Sequence, residues 1–221
     1  MNFNPNILCP VCDSLKYHLY KKDLKRDYLK CEDCNFIHVP KEFHLTPELE
    51  KSHYSFHRNS PDDMDYRKFL GRLFQPVNNL LKKQSSGLDY GCGSGPTLHL
   101  MFEEVGHKMK AFDPFYFNNQ LLLENKYDFI TLSEVAEHMF TPKMEFIKLF
   151  EMLNNPGILG IMTSLIPENM DFLNWHYIKD PTHVSFYSKE TFSFLGNIFN
   201  SNPIFIDNNI IIFKKTDNIG S

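Results

Sequence analysis

An alternation of glycines, Gly91-Cys-Gly-Ser-Gly95, follows directly on the short run Gly87-Leu-Asp-Tyr90 and leads through Pro96 into a helical pattern, Thr97 to Glu104. Glycine at alternate positions lets a backbone turn sharply off a strand and approach a ligand with no Cβ in the way. A helix opening just beyond offers free backbone N–H groups at its start. Strand, glycine turn and helix in this order predict an open α/β sheet that binds a nucleotide-like ligand beyond the strand's C-terminal end.

The rest of the chain continues the alternation. Tyr66, Phe69, Leu70, Leu73, Val77, Leu80 and Leu81 recur at steps of three and four, predicting a helix over Asp65–Leu81 that Pro76 kinks or splits. Lys108–Phe112 reads as a second strand closed by Asp113-Pro114, and Tyr127–Leu132 as a third. A helix is expected over Pro142–Leu153, with proline well placed at its start. Asn155-Pro-Gly157 then turns the chain into a strand over Ile158–Thr163, and Lys189–Phe199 is helical. Pro203–Ile206 and Ile210–Phe213, flanking Asp207-Asn-Asn209, form a terminal hairpin that adds an antiparallel edge. Strands alternating with helices predict a mostly parallel sheet covered on both faces. The 221 residues suit one such domain with a small appendage, and 42% hydrophobic against 23% charged residues allows a buried core. The expected organisation is a ribbon module over 1–40, a linker or lid over 41–64 and the α/β domain over 65–221.

Two details separate the glycine turn from a pyrophosphate-binding loop. Its spacing is G-x-G-x-G followed by proline, not the G-x-G-x-x-G of dinucleotide-binding oxidoreductases. Asp89 precedes the first glycine, where a carboxylate can face a cation. Asp113, 22 residues after Gly91, ends the second strand, where it can accept hydrogen bonds from both hydroxyls of a ribose.

Here the chain resembles the class I S-adenosylmethionine-dependent methyltransferases. Leu88 to Gly95 is similar to their first motif and Ala111-Phe-Asp-Pro114 to their acidic loop. Tyr127 to His138 is similar to their fourth-strand motif, and Leu153 to Gly160 to their turn into strand five. The resemblance implies a Rossmann-like, mostly parallel seven-stranded sheet with the last strand antiparallel. It also implies S-adenosyl-L-methionine as cofactor, and methyl transfer by direct displacement. Asp89, Gly91, Cys92, Gly93, Gly95, Asp113, Ser133 and Glu134 are the expected cofactor-binding residues. One departure stands out: only 14 residues separate Asp113 from Asp128, too few for the usual helix, strand and adenine-contacting loop. Gln120–Leu123 is then a vestigial third strand, and Tyr54, His57 and Asn59 become candidates for a lid that helps to hold adenine.

Ser133-Glu-Val-Ala-Glu-His138 sits just beyond a strand's C-terminal end. Glu134, Glu137, His138 and the later His183 offer a ligand set for Mg²⁺ or another divalent cation. The arrangement resembles the Glu-x-x-Glu-His motifs of ubiquinone O-methyltransferases and small-RNA 2′-O-methyltransferases, in which a cation lowers the pKa of the acceptor hydroxyl. Without metal, His183 or Glu137 serves as general base; His138 is the third candidate catalytic residue, its alternative being to cap or pack. Trp175, Tyr177 and Tyr187 either wall an aromatic acceptor site or belong to the core.

Four of the five cysteines form Cys9-Pro-Val-Cys12 and Cys31-Glu-Asp-Cys34, a Cys-x2-Cys-x18-Cys-x2-Cys spacing that predicts a zinc ribbon. Four thiolates leave no coordination position for substrate, so this zinc is structural. Between the pairs lie Lys16, Lys21, Lys22, Lys25, Arg26 and Lys30, interleaved with Tyr17, Tyr20 and Tyr28. That pattern suits either a solvated hairpin face or single-stranded nucleic acid. Net charge of −4 argues against a chain wholly devoted to nucleic acid. Met1–Pro10 lacks the basic and apolar runs of a secretory signal, and no apolar run approaches membrane-spanning length, so a cytoplasmic protein is expected. Three readings remain: methylation of a small molecule, at oxygen by preference; an RNA methyltransferase that recognises RNA through the ribbon; and a non-catalytic binding protein on the same fold.

Overall fold

The computed structural model describes residues 8–54 and 60–216; the lid candidates His57 and Asn59 lie outside them. The N-terminal segment forms β1 (Tyr17–Lys22), β2 (Asp27–Cys31) and β3 (Ile37–His38), followed by α1 (Pro47–Tyr54) and α2 (Met64–Asn78). The glycine turn joins β4 (Ser86–Tyr90) to α3 (Leu98–Glu104), and β5 (Lys108–Phe112) follows. Then come β6 (Tyr127–Ser133), α4 (Pro142–Glu151), β7 (Leu153–Met162), β8 (Ser185–Phe186), α5 (Lys189–Phe199), β9 (Ile204–Ile206) and β10 (Ile210–Lys215).

The main sheet has six strands in the order β5-β4-β6-β7-β10-β9. Strands β5, β4, β6 and β7 are parallel, and β10 runs antiparallel to both its neighbours. This corrects the seven-stranded expectation. A parallel crossover needs a dozen or more residues of its own, and the segment after β5 is too short for two crossovers with a strand between them. Gln120–Glu124 forms a 3₁₀ turn there instead of a vestigial strand. The terminal hairpin is present, but its antiparallel strand β10 is internal and β9 is the edge.

Side chains of the central strands alternate between two helical layers, as the period of two demands. Phe129, Ile158, Met162, Ile210 and Ile212 pack with Leu70, Leu73, Phe74 and Val77 of α2 and Leu98, Met101 and Phe102 of α3. Their neighbours Ile130, Leu132, Leu159, Ile161, Ile211 and Phe213 face Phe146, Leu149, Phe192 and Leu195 of α4 and α5. Helix α2 begins at the Asp63 cap, whose side chain accepts from the N–H groups of Asp65 and Tyr66, and it runs unsplit through Pro76. Gly160 is the contact point of α2 with the sheet: a Cβ there would lie 2.5 Å from Val77 Cγ2.

The N-terminal strands form a second sheet, ordered β1-β2-β3-β8. Its fourth strand comes from the far end of the chain, with Ile37 opposite Phe186 and His38 opposite Ser185. One face covers Phe172, Trp175, Ile178 and Val184, which pack with Tyr28, Ile37 and Val39. The cysteine end packs on the α4–α5 layer, where the Thr191 hydroxyl donates to the Cys34 carbonyl at 2.9 Å. Among the described residues no helix is long and apolar enough to cross a membrane.

Candidate active site

Strand order reverses at β4: its crossover leads to β5 on one side, and the next leads to β6 on the other. Crevices in open α/β sheets form beyond the C-terminal ends of strands at such a switch. A cavity of about 840 Å³ opens there, bordered by the glycine turn, the ends of β5 and β6, helix α1 and the 176–183 segment.

Gly91 and Gly93 both have left-handed backbones, with φ of +78° and +68°. A Cβ on Gly91 would lie 2.5 Å from Val135 Cγ2, whereas one on Gly93 would meet nothing within 4 Å. Three of the turn's amides are already engaged. Those of Gly91 and Cys92 donate to the Phe112 carbonyl at 2.8 and 3.1 Å, and that of Gly93 donates to Asp113 Oδ2 at 3.0 Å. What the turn offers a ligand is therefore close approach over Gly93 more than a row of free donors. The other oxygen of Asp113 accepts from the Phe115 and Tyr116 amides at 2.8 and 3.0 Å. With about four lone-pair positions on a carboxylate, one remains for a ribose hydroxyl without rearrangement. Asp89 is 3% exposed and accepts from Thr131 Oγ1 at 3.0 Å; burial, with the Asp113 charge adding, pushes its pKa up to about 7.

The opposite wall is built on Glu134–His138 and the 176–183 segment. Glu134 takes a left-handed backbone, φ +54°, with its N–H held by the Met162 carbonyl at 2.8 Å. Glu137 is fully buried and accepts from Thr163 Oγ1 at 2.9 Å and from the Tyr177 hydroxyl at 2.5 Å. Burial and the neighbouring Glu134 charge push it up to about 8. Nδ1 of His138 faces the Thr182 carbonyl at 3.2 Å, and Nδ1 of His183 faces the Tyr177 carbonyl at 2.7 Å. A carbonyl only accepts, so each ring carries its hydrogen on Nδ1 and leaves Nε2 with a lone pair. Burial lowers both rings to about 4, which keeps them neutral near pH 7.

The model of a methyltransferase domain family matches residues 62–197, more than half of the chain. The protein belongs to this methyltransferase family. No curated protein sequence matches it. Among solved structures it is similar to the 1,6-didemethyltoxoflavin-N1-methyltransferase of Burkholderia thailandensis, solved with 1,6-didemethyltoxoflavin and S-adenosylhomocysteine. The two are 13% identical, with 91% of this chain and 100% of that chain covered and a TM-score of 0.54. A methyltransferase of Thermotoga maritima is 14% identical over 69% of this chain and 91% of its own, with a TM-score of 0.46. At such identities the first likeness speaks for the fold alone, and the second adds nothing to it.

In this methyltransferase the sequence-predicted residues Asp89, Gly91, Cys92, Gly93, Asp113, Ser133, Glu134, His138 and His183 all border the cavity. Gly95 and Glu137 are not on its wall. Gly95 accepts the Thr97 hydroxyl at 3.1 Å, and Glu137 lies behind Tyr177 and His183. Of the four residues offered as cation ligands, Glu137, His138 and His183 bring one ligand atom each within 4.8 Å of one another; Glu134 is outside that group. Trp175 and Tyr187 belong to the core, where the Tyr187 hydroxyl donates to the Ala136 carbonyl at 2.8 Å. Tyr177 alone of the three suggested aromatics lines the cavity, and its hydroxyl also receives the Ser164 amide at 3.2 Å.

Helix α1 was not foreseen within the 41–64 segment, though Thr46-Pro-Glu-Leu-Glu50 carries a helix-start signature. It brings Pro47, Glu50 and Tyr54 to the cavity rim. Tyr54 donates to Glu50 at 2.8 Å and packs edge-on against His138 and tilted against Phe115.

The four N-terminal cysteines also converge, with all sulfurs within 4.8 Å of one another and none in a disulfide. Their two turns share one hydrogen-bonding pattern. Asp13 and Asn35, each just after a second cysteine, have φ of 59° and 57° and donate to the carbonyls of Cys9 and Cys31. Cys9 and Cys31 in turn donate to the carbonyls of Ser14 and Phe36. Aspartate and asparagine tolerate this left-handed position better than other side chains.

Proposed function

We propose that this methyltransferase uses S-adenosyl-L-methionine to methylate a small molecule at a protic oxygen or nitrogen. One observation carries the reading: the glycine turn and Asp113 on one side, and His138 and His183, each with Nδ1 held by a backbone carbonyl, on the other, border a single cavity. Its volume lies within the roughly 300–1,000 Å³ of pockets that enclose small ligands. Residues Asp89, Gly91, Gly93, Asp113, Ser133 and Glu134 would hold the cofactor, and Tyr54 and Phe115 take the place of the absent adenine-contacting segment. When bound, the cofactor supplies a methyl group on a positively charged sulfur. Asp89 and Glu134 answer that charge with carboxylates, while α1 and the 176–183 segment keep water from the reacting atoms. His183 accepts the proton of the acceptor through Nε2, where the Asp180 carboxylate 3.8 Å away offsets the burial that makes the ring a weak base, and His138 orients the same group; alignment supplies much of the remaining rate.

The wall also selects the acceptor. Six carboxylates border the cavity (Glu50, Asp89, Asp113, Glu134, Glu145 and Asp180), and no lysine or arginine does so among the described residues. A phosphate-bearing acceptor would be repelled. In the ribbon, Lys16, Lys21 and Lys22 pair with Asp33, Asp171 and Asp27, Arg26 is buried, and Tyr28 and Tyr20 pack on Phe172. This favours the hairpin-face reading over an RNA platform. Glu137 already accepts two hydroxyl hydrogens, which favours the proton-accepting role of the histidines over a divalent-cation site. The four cysteines suit a structural Zn²⁺: cross-pair S–S separations of 3.6 and 3.4 Å approach the roughly 3.8 Å edge of a tetrahedron with Zn–S of about 2.3 Å.

Calorimetry with S-adenosylhomocysteine tests the cofactor half, and a Kd in the micromolar range is expected. Wild-type protein that takes up no cofactor product at millimolar concentration would overturn the proposal. Turnover of an oligonucleotide in preference to neutral or cationic small molecules would overturn the acceptor class.

A further inference from the structure

Arg26 is one of six basic residues between the cysteine pairs, yet its side chain faces inward and is 7% exposed. Its guanidinium donates through Nη1 to the carbonyls of His183 at 2.8 Å and Pro181 at 3.3 Å, and through Nη2 to that of Ile178. Three carbonyls of one short loop, more than 150 residues away in sequence, therefore converge on one planar fork. Asp23 fixes the fork's origin: its Oδ1 accepts the Arg26 amide at 2.7 Å, and its Oδ2 accepts the Tyr28 hydroxyl, whose ring lies beneath the guanidinium. The clamped loop is the one that carries His183, and the ring's own anchor, the Tyr177 carbonyl, directly precedes the first clamped residue.

We infer that Arg26 is a positioning residue that reaches from the cysteine module into the catalytic wall and fixes the ring orientation and tautomer of His183. The inference rests on the proposed role of His183. A guanidinium suits the task because its donors lie in one rigid plane, whereas a lysine ammonium on a flexible stem cannot serve three carbonyls in the same way. Two further contacts lock the same segment to the ribbon: the β3–β8 pairing, and the Val39 amide to the Val184 carbonyl at 2.9 Å. The segment is thus held at both ends. Arg26 governs the Ile178–His183 half, and β3 governs the half beyond it.

The test compares wild type, Arg26→Lys and Arg26→Ala by long-range ¹H–¹⁵N NMR of the histidine rings. His107, which bonds Asn78 at the N-terminal end of β5, away from the cavity, serves as the internal control. Wild-type His183 should show the single tautomer protonated at Nδ1. Arg26→Ala should give an averaged ring, Arg26→Lys should lie between them, and added ethylguanidinium should restore the Arg26→Ala signal in part, with His107 unmoved throughout. A single unchanged His183 tautomer in folded Arg26→Ala would overturn the inference. If Arg26→Ala does not fold, Arg26→Lys carries the decision, and a wild-type His183 signal in it counts against the clamp. Calorimetry with S-adenosylhomocysteine on the same samples keeps the two claims apart. Unchanged Kd with a disturbed His183 supports the clamp, whereas wild-type protein that fails to bind overturns the cofactor reading and leaves the ring result to stand on its own.

Discussion

Replacing Gly91 and Gly93 separately by alanine distinguishes a glycine needed for the fold from one needed for a ligand. Both positions have left-handed φ, which costs an L-residue about 1–2 kcal/mol. Only at Gly91 does the new methyl group also overlap a neighbour, Val135, at 2.5 and 2.9 Å from its Cγ atoms. Overpacking of that kind adds about 1–3 kcal/mol. Gly91→Ala should therefore lose roughly 2–5 kcal/mol of stability, and Gly93→Ala roughly 1–2 kcal/mol. Urea unfolding reads the difference directly. Adding Val135→Ala to Gly91→Ala should recover the overpacking share and leave the backbone share, a non-additivity expected of residues in contact. Affinity should follow the reverse order relative to stability. An added Cβ on Gly93 meets nothing within 4 Å, so its alanine variant loses only the backbone share of stability while its Kd for S-adenosylhomocysteine rises at least tenfold. Equal stability losses in the two variants, or a Gly93→Ala protein that binds as wild type does, would refute the assignment of the turn.

Asp89, raised to about 7 by burial, is about half protonated at neutral pH, and a cationic ligand favours its ionised form. S-adenosylmethionine binding at pH 7 should therefore release about half a proton, with affinity rising as pH increases through 7; calorimetry in buffers of different ionisation enthalpy measures it, and Asp89→Asn should abolish it. Purified protein should hold one zinc per chain, and its removal with a chelator should lower the thermal midpoint by on the order of 10 °C; an unchanged midpoint after all four thiols become titratable would refute the structural role. Tyr177→Phe removes the donor to Glu137 and the acceptor of the Ser164 amide, at about 1–3 kcal/mol for the groups left unpaired. Turnover should fall much further than S-adenosylhomocysteine affinity, and equal losses in both would place Tyr177 on the cofactor side.

Where local rules decide the outcome, the sequence was readable. Strand β5 occupies Lys108–Phe112 and helix α5 occupies Lys189–Phe199 as expected, the latter opened by a reciprocal Ser188–Thr191 capping box. In the sequence Asn155-Pro-Gly157 looks like a turn, which predicts a strand only from Ile158 where β7 begins at Leu153. It is instead a register irregularity within one strand, with Leu153 paired to Tyr127 and Ile158 to Phe129. Pro and Gly mark bulges as well as turns, and only the partner strand tells which. Helix α1 buries no side chain, so it has no apolar period to read; its start signature was the only cue. Two-residue β8 and the inward fork of Arg26 had no local signal, because their partners are on the other side of the molecule.

That division follows the chemistry of the site. The proposed cofactor wall is written mostly in contiguous sequence: the glycine turn, the Phe112 carbonyl that binds it and the Asp113 carboxylate that ties it down all fall between residues 91 and 113. The proposed acceptor wall is assembled from distant pieces. Glu137 is held by Thr163 and Tyr177, His138 by Thr182, His183 by Tyr177, and the loop beneath them by Arg26 and β3. A change in α1 or in residues 172–187 can therefore reshape the acceptor chamber without touching any hydrogen bond of the glycine turn. The N-terminal module is poorly placed to act as an independent arm, since its sheet is completed by β8 and its buried arginine holds the loop that carries His183. Loss of the ribbon should accordingly abolish turnover through His183 while the contacts between the glycine turn and Asp113 persist.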